Sequence, residues 1–156
     1  MAYLDIITLA DAKTYLRIDD TLTEDDAQIT RMIKASLSQI ERVTNYILFA
    51  RSKSYVVENL SVNVYDFPIN SLTSPTTATS VEKSIYTTYT TIVSTDLKVT
   101  LNVGYSNASD VPSDLIEVAY EMIDLMYYSP ETGKSIKSDL SELSKMILNN
   151  YKRFFI

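Results

Sequence analysis

Residues 23–45, TEDDAQITRMIKASLSQIERVTN, leave the chain little choice but to build a buried helix. Ile29, Met32, Ile33, Leu37, Ile40 and Val43 recur at steps of three and four, which aligns them on one stripe of a 3.6-residue helix. Arg31, Lys34, Ser38, Glu41, Arg42 and Asn45 fall on the other, polar side. Thr23 is placed as an N-cap with Asp26 completing a capping box, and Asn45 suits a left-handed stop. Glu24, Asp25 and Asp26 put negative charge where the helix dipole favours it. A stripe that wide needs cover, so the other elements are expected to pack against it.

The flanking segments supply that cover. Residues 8–16 read as a short helix, with Thr8 as cap, Asp11 at the capping-box position and Leu9, Ala12 and Leu16 facing inward. Leu22 is expected to staple onto Ala27. Residues 54–65 are rich in β-branched and aromatic side chains and read as one bent strand or two short ones. Residues 66–70 end that strand, and 71–80 read as a Ser/Thr loop. Residues 81–94 form a Thr- and Tyr-rich strand. Leu97, Val99, Leu101, Val103 and Tyr105 alternate with polar residues, the clearest period-two signal in the chain. Ser94-Thr95-Asp96 is then the expected hairpin turn between these two strands. Pro112 opens a second strong helix, carrying Leu115, Ile116, Ala119, Met122, Ile123, Met126 and Tyr127 on one face. Ser138 is expected to cap a last helix, on which Leu140, Leu143, Ile147, Tyr151 and Phe154 align. The fold class is therefore mainly α (α+β): a bundle of about four helices with an inserted antiparallel β-hairpin or small sheet. One domain covers 1–156, with a β-arm at about 51–105 and a C-terminal helix and tail at 131–156.

Composition narrows the chemistry. The chain has no cysteine and no histidine, which removes disulfides, thiolate catalysis, the commonest general base and the commonest metal ligand. Two glycines argue against phosphate-cradling loops. With no nucleophile–base pair, no metal-ligand spacing and no paired carboxylates in an apolar setting, the expectation is a non-enzyme without cofactor or metal. Asp19, Asp20, Glu24, Asp25 and Asp26 cluster as hard-cation ligands would, but helix capping and solvated charge account for them better. No apolar run approaches a membrane span, and the first residues lack the pattern of a signal peptide.

Three features ask for a partner. Net charge is −6, yet residues 1–130 carry 9 basic and 17 acidic side chains while residues 131–156 carry 5 and 3. A basic segment on an acidic body suggests that it meets something the body does not. Asp114, Glu117, Glu121 and Asp124 form an acidic band along the Pro112 helix, either a solvated face or a surface that lets a polyanion slide without sticking. The final YKRFFI either folds back on the chain's own core or docks into another protein, with the aromatics as anchors and Lys152 and Arg153 at a polar rim. The twelve tyrosines fit core and strand packing better than base stacking.

The order of these parts resembles the phage head–tail connector family, also called adaptor or head-completion proteins. The residues that carry the resemblance are Leu9-Ala10-Asp11-Ala12-Lys13 with Leu16-Arg17-Ile18-Asp19, then Glu24-Asp25-Asp26 opening the long helix and Ile40-Glu41-Arg42-Val43-Thr44-Asn45 closing it. Val103-Gly104-Tyr105, Val111-Pro112-Ser113-Asp114-Leu115 and Tyr127-Tyr128 follow. The resemblance spans roughly residues 8–130; the Thr-rich stretch 71–96 does not align, and Asn45 stands where the family usually has glycine.

The resemblance implies a structural virion protein, made in the host cytoplasm. It implies a homo-oligomeric ring, commonly twelve-fold, stacked on the portal in the neck. DNA would pass through without sequence-specific contact, and tail or neck proteins would meet the opposite face. Lys145, Tyr151, Lys152, Arg153, Phe154, Phe155 and Ile156 would then grip the portal, and Asp114, Glu117, Glu121 and Asp124 would line the bore or the ring seams. A tail-completion or stopper protein of the neck is the alternative, and a helical interaction module outside the virion the second alternative.

Overall fold

The computed structural model of the chain describes residues 2–74, 79–81, 89–128 and 139–152. Among these lie five α-helices: α1 Tyr3–Ile6, α2 Leu9–Tyr15, α3 Asp26–Thr44, α4 Ser113–Tyr128 and α5 Glu142–Tyr151. The stripe on α3 is covered as its spacing demands. Ile29, Ile33, Leu37 and Ile40 are fully buried, with Met32 and Val43 at the margin. Burial of side chains this size stabilises by about 1.5–3 kcal/mol each. Their main partner is α4, through Leu115, Val118, Ala119, Met122 and Ile123; Leu16, Leu140 and Leu148 close the remaining sides. Asn45 ends α3 in the left-handed conformation, φ 61°, and its N–H donates to the Glu41 carbonyl. Thr8 caps α2 with the full capping box to Asp11.

Among the described residues six strands follow α3 and precede α4: β1 Arg51–Val56, β2 Ser61–Val64, β3 Ile69–Ser74, β4 Thr79–Val81, β5 Thr90–Val93 and β6 Lys98–Val103. They form two antiparallel three-stranded sheets, ordered β1-β6-β3 and β2-β5-β4. Val99, Leu101 and Val103 of β6 are fully buried and join Ile47, Val57, Val64 and Ile92 in a second apolar cluster, separate from the helical one. The β1–β2 link is a two-residue turn in which Glu58 and Ser61 exchange backbone hydrogen bonds of 3.1 Å each. Asn59 and Leu60 both have positive φ, 52° and 64°, as such a turn requires.

Several local expectations are corrected. Residues 71–74 are not loop but part of β3. Two register shifts in its pairing with β6, between Ile69 and Ser71 and between Leu72 and Ser74, erase the alternation that would have marked it. Ser94-Thr95-Asp96 joins no hairpin, because β5 and β6 belong to different sheets. Thr23 does not cap α3. Lys13, 3% exposed, donates its ammonium to the carbonyls of Asp20 (3.0 Å) and Leu22 (2.6 Å) and pairs with Asp26 at 3.0 Å. The chain wraps around that charge, so the helix starts only at Asp26, and Leu22 is left exposed rather than stapled. The last helix starts at Glu142 under a Ser141 cap. That start turns Ser144 and Leu148 inward and leaves Leu143 exposed. Ser138 and Phe154 lie outside the described residues.

Candidate functional site

Two carboxylates of the acidic band hold α5 to α4. Glu121 accepts the Ser141 N–H at 2.5 Å, the Ser141 hydroxyl at 2.9 Å and the Ser144 hydroxyl. It therefore anchors the start of α5, where the Ser141 hydroxyl in turn accepts the Ser144 N–H as the helix cap. Burial works to raise the Glu121 carboxyl, but the hydrogen bonds from Ser144 and Ser141, with Lys145 nearby, outweigh it and hold it below the usual glutamate range. At the far end of α5, the Tyr151 hydroxyl donates to Asp114 at 3.0 Å and its ring meets Tyr46 edge-on at 5.2 Å. Burial, then the Asp114 bond, pushes the Tyr151 hydroxyl up to about 12. Asp114 pairing with Tyr151 and Glu121 with Ser144 make the two helices antiparallel.

The band is thus divided. Asp114 and Glu121 are engaged by α5, while Glu117 stays exposed and Asp124 half-buried. These two flank a stacked pair, Tyr15 on Tyr120, with ring centroids 4.8 Å apart. Burial raises the Tyr15 hydroxyl first, and the charges of Asp124, Glu117 and Glu121 raise it further.

Of the segment expected to dock, Lys145 pairs with Glu142 at 2.8 Å, Tyr151 is bound to its own chain as above, and Lys152 is half-buried. Arg153, Phe154, Phe155 and Ile156 lie outside the described residues. The Tyr46 ring that Tyr151 meets also packs edge-on against Phe67 at 5.0 Å.

Tyr46 belongs to the joint between the helices and the β-arm, and this joint is built on two residues. Glu41 is 7% exposed instead of lying on the polar face of α3. One carboxylate oxygen accepts the Leu48 N–H at 2.7 Å; the other accepts the Tyr3 hydroxyl at 2.7 Å and the Arg51 guanidinium at 2.8 Å. It ties α1, α3, the turn after α3 and β1 to one point. The Tyr3 hydroxyl is raised by burial and then by this carboxylate. Gly104, φ 106°, donates its N–H to the Pro68 carbonyl at 2.8 Å, and its own carbonyl accepts the Asn70 side chain at 2.6 Å. A Cβ there would stand 2.3 Å from the Phe49 carbonyl oxygen.

Polarity alone misplaces Glu41 and does not anticipate the burial of Lys13. Spacing would have found both. Lys13 fills the i+4 position of the Leu9, Ala12, Leu16 stripe, and Glu41 continues the run Ile33, Leu37. Among the described residues no group of three or more acidic side chains is arranged to hold a metal ion, and no helix is long and apolar enough to cross a membrane.

Comparison with solved structures finds this fold in particle necks. A chain from the neck of an empty gene transfer agent particle, computed with C6 symmetry, superposes with a TM-score of 0.76 at 14% identity, covering 100% of this chain and 94% of that one. A chain from the virion of a native gene transfer agent particle gives 0.73 at 14% identity over 97% and 91%. One from the native neck computed with C12 symmetry gives 0.72 at 12% identity over 100% and 94%. At such identities the likeness speaks for the fold. No curated protein sequence matches significantly. The model of the phage gp6-like head–tail connector protein, however, matches residues 6–95, more than half of the chain. That span holds the α2 capping box, the Lys13-bound corner, the whole of α3 and Glu41, so the chain belongs to the phage gp6-like head–tail connector family and is a structural protein of the virion, not one of a family of enzymes.

Proposed function

We propose that copies of this chain close into a ring in the neck of the virion, stacked on the portal, where they extend the DNA channel and complete the head. The observation that supports this most is the whole-chain likeness to proteins from necks of six- and twelve-fold symmetry. All of 1–156 acts as one connector domain. The segment that follows α5 carries the portal contact, with Phe154, Phe155 and Ile156 as apolar anchors and Lys152 and Arg153 at the rim, joined by Lys145 on α5 itself. Tyr151, the last residue of α5, is itself fixed to Asp114 and Tyr46.

Glu117 and Asp124 face the bore, where like charge keeps passing DNA phosphates from sticking; Asp114 and Glu121 serve the same helix by holding α5. The β-arm reaches outward. At its end Val56, Leu60 and Leu97 are 69%, 62% and 83% exposed, large apolar side chains of the kind that tail or neck proteins would cover.

A chain ending at Lys152 tests the docking role. It is expected to keep its far-UV circular dichroism and melting cooperativity, because the described contacts of α5 remain. It is also expected to stop co-sedimenting with portal. Full co-sedimentation of the shortened chain would overturn the assignment of the final segment.

A further inference from the structure

The ring reading requires two different surfaces on each copy, one for each neighbour, because a head-to-tail contact never pairs a patch with itself. Resting on that reading, the geometry points to the two ends of α3 as these surfaces. We propose that an open groove at the C-terminal end of α3 receives the α2–α3 corner of the next copy.

The groove, of about 530 Å³, is lined by Tyr3, Glu41, Arg42, Ile47, Arg51 and Lys53, with Asp66 behind Lys53. Its charges are layered. The carboxylates lie at the floor, Glu41 7% and Asp66 12% exposed, each already paired with a cation. The cations form the rim: Arg51 is 33% and Lys53 44% exposed. Arg42 is exposed and has no hydrogen-bond or ion-pair partner among the described residues. The outward face is therefore cationic on a chain whose net charge is −6.

The opposite end of α3 is the complement. The α2–α3 corner, residues 16–25, carries Asp19, Asp20, Glu24 and Asp25 against a single cation, Arg17 at its start. Asp25 accepts the Tyr127 hydroxyl at 2.6 Å, and Asp19 is occupied by Thr21. The Asp20 and Glu24 side chains are exposed, and their carboxylates have no hydrogen-bond or ion-pair partner among the described residues. Helix capping does not explain them, since α3 starts at Asp26 and its cap residue makes no side-chain cap bond. Between them stands Leu22, 56% exposed, an apolar anchor flanked by carboxylates. In the contact Leu22 enters beside Tyr3 and Ile47, while Asp20 and Glu24 meet Arg42 and the rim. The corner itself is rigid, because the buried Lys13 ammonium holds the carbonyls of Asp20 and Leu22. A 19-residue helix separates the two surfaces by about 28 Å, so one copy cannot satisfy both itself.

Sedimentation equilibrium at low ionic strength, where such contacts are least screened, reads the proposal. Variant one is Arg42→Glu; variant two is Asp20→Arg with Glu24→Arg. Each alone is expected to self-associate at least about tenfold more weakly than the wild type, since like charges then face each other. Mixed together they are expected to recover association, because the reversed groove now meets the reversed corner. Wild-type association that neither variant weakens, or that mixing does not restore, overturns this seam and leaves the ring to be built on another. A wild type that stays monomeric at every concentration also overturns it, and the ring is then judged by imaging with portal. Arg42→Glu that associates normally but loses retention on duplex DNA overturns it too, and gives the groove to a polyanion.

Discussion

Replacing Glu41 with alanine is expected to cost about 3–5 kcal/mol, the loss typical of breaking a buried, hydrogen-bonded ion pair. The carboxylate accepts three bonds of 2.7–2.8 Å from three separate elements. Its removal leaves the Leu48 N–H without a partner at a fully buried position, and an orphaned buried donor costs about 1–3 kcal/mol. It also strands the half-buried Arg51 guanidinium and the Tyr3 hydroxyl. Glu41→Gln keeps the size and one acceptor but no charge, so it is expected to fall between alanine and wild type. Urea denaturation followed by circular dichroism measures both. An alanine variant within about 1 kcal/mol of wild type would mean the joint is held by the apolar contacts around it.

Gly104→Ala is expected to be similarly severe, about 3–5 kcal/mol, for a reason independent of charge. The backbone at φ 106° lies where a side chain is strained by about 1–3 kcal/mol. The new Cβ would also stand 2.3 Å from the Phe49 carbonyl oxygen and 2.8 Å from the Ile47 side chain. Backbone cannot swing away as a flexible side chain would, so the Phe49 strand entry or the Pro68–Asn70 segment must move, and overpacking of this kind adds about 1–3 kcal/mol. The loss should concentrate in the β-arm. Amide exchange is expected to rise in β1, β3 and β6 and to change little in α3 and α4, because the helical and β clusters are separate. Uniform loss of protection across both clusters would show instead that the two fold as one unit.

What was legible from residues alone follows the range of the interactions. The α3 stripe, the Asn45 stop and the Thr8 capping box are set by neighbours within one or two turns, and all three stand as expected. The sheets are not local. β6 pairs with strands that begin 47 and 29 residues before it, while its sequence neighbour β5 pairs elsewhere. Adjacent alternating runs suggested a hairpin that tertiary packing overrides. Charge was the other source of error. Glu41 sits at an inward spacing, but its charge argued for solvent; its burial, like that of Lys13, is possible because each is fully met by partners. The same logic divides the acidic band, where Asp114 and Glu121 found partners on α5 that no local pattern announces.

Electron microscopy of the chain mixed with its portal protein decides whether these contacts serve a connector ring. A closed ring, coaxial with the portal and continuing its channel, is the expected image. Copies that remain single in the presence of portal, or that string into open filaments, would contradict it.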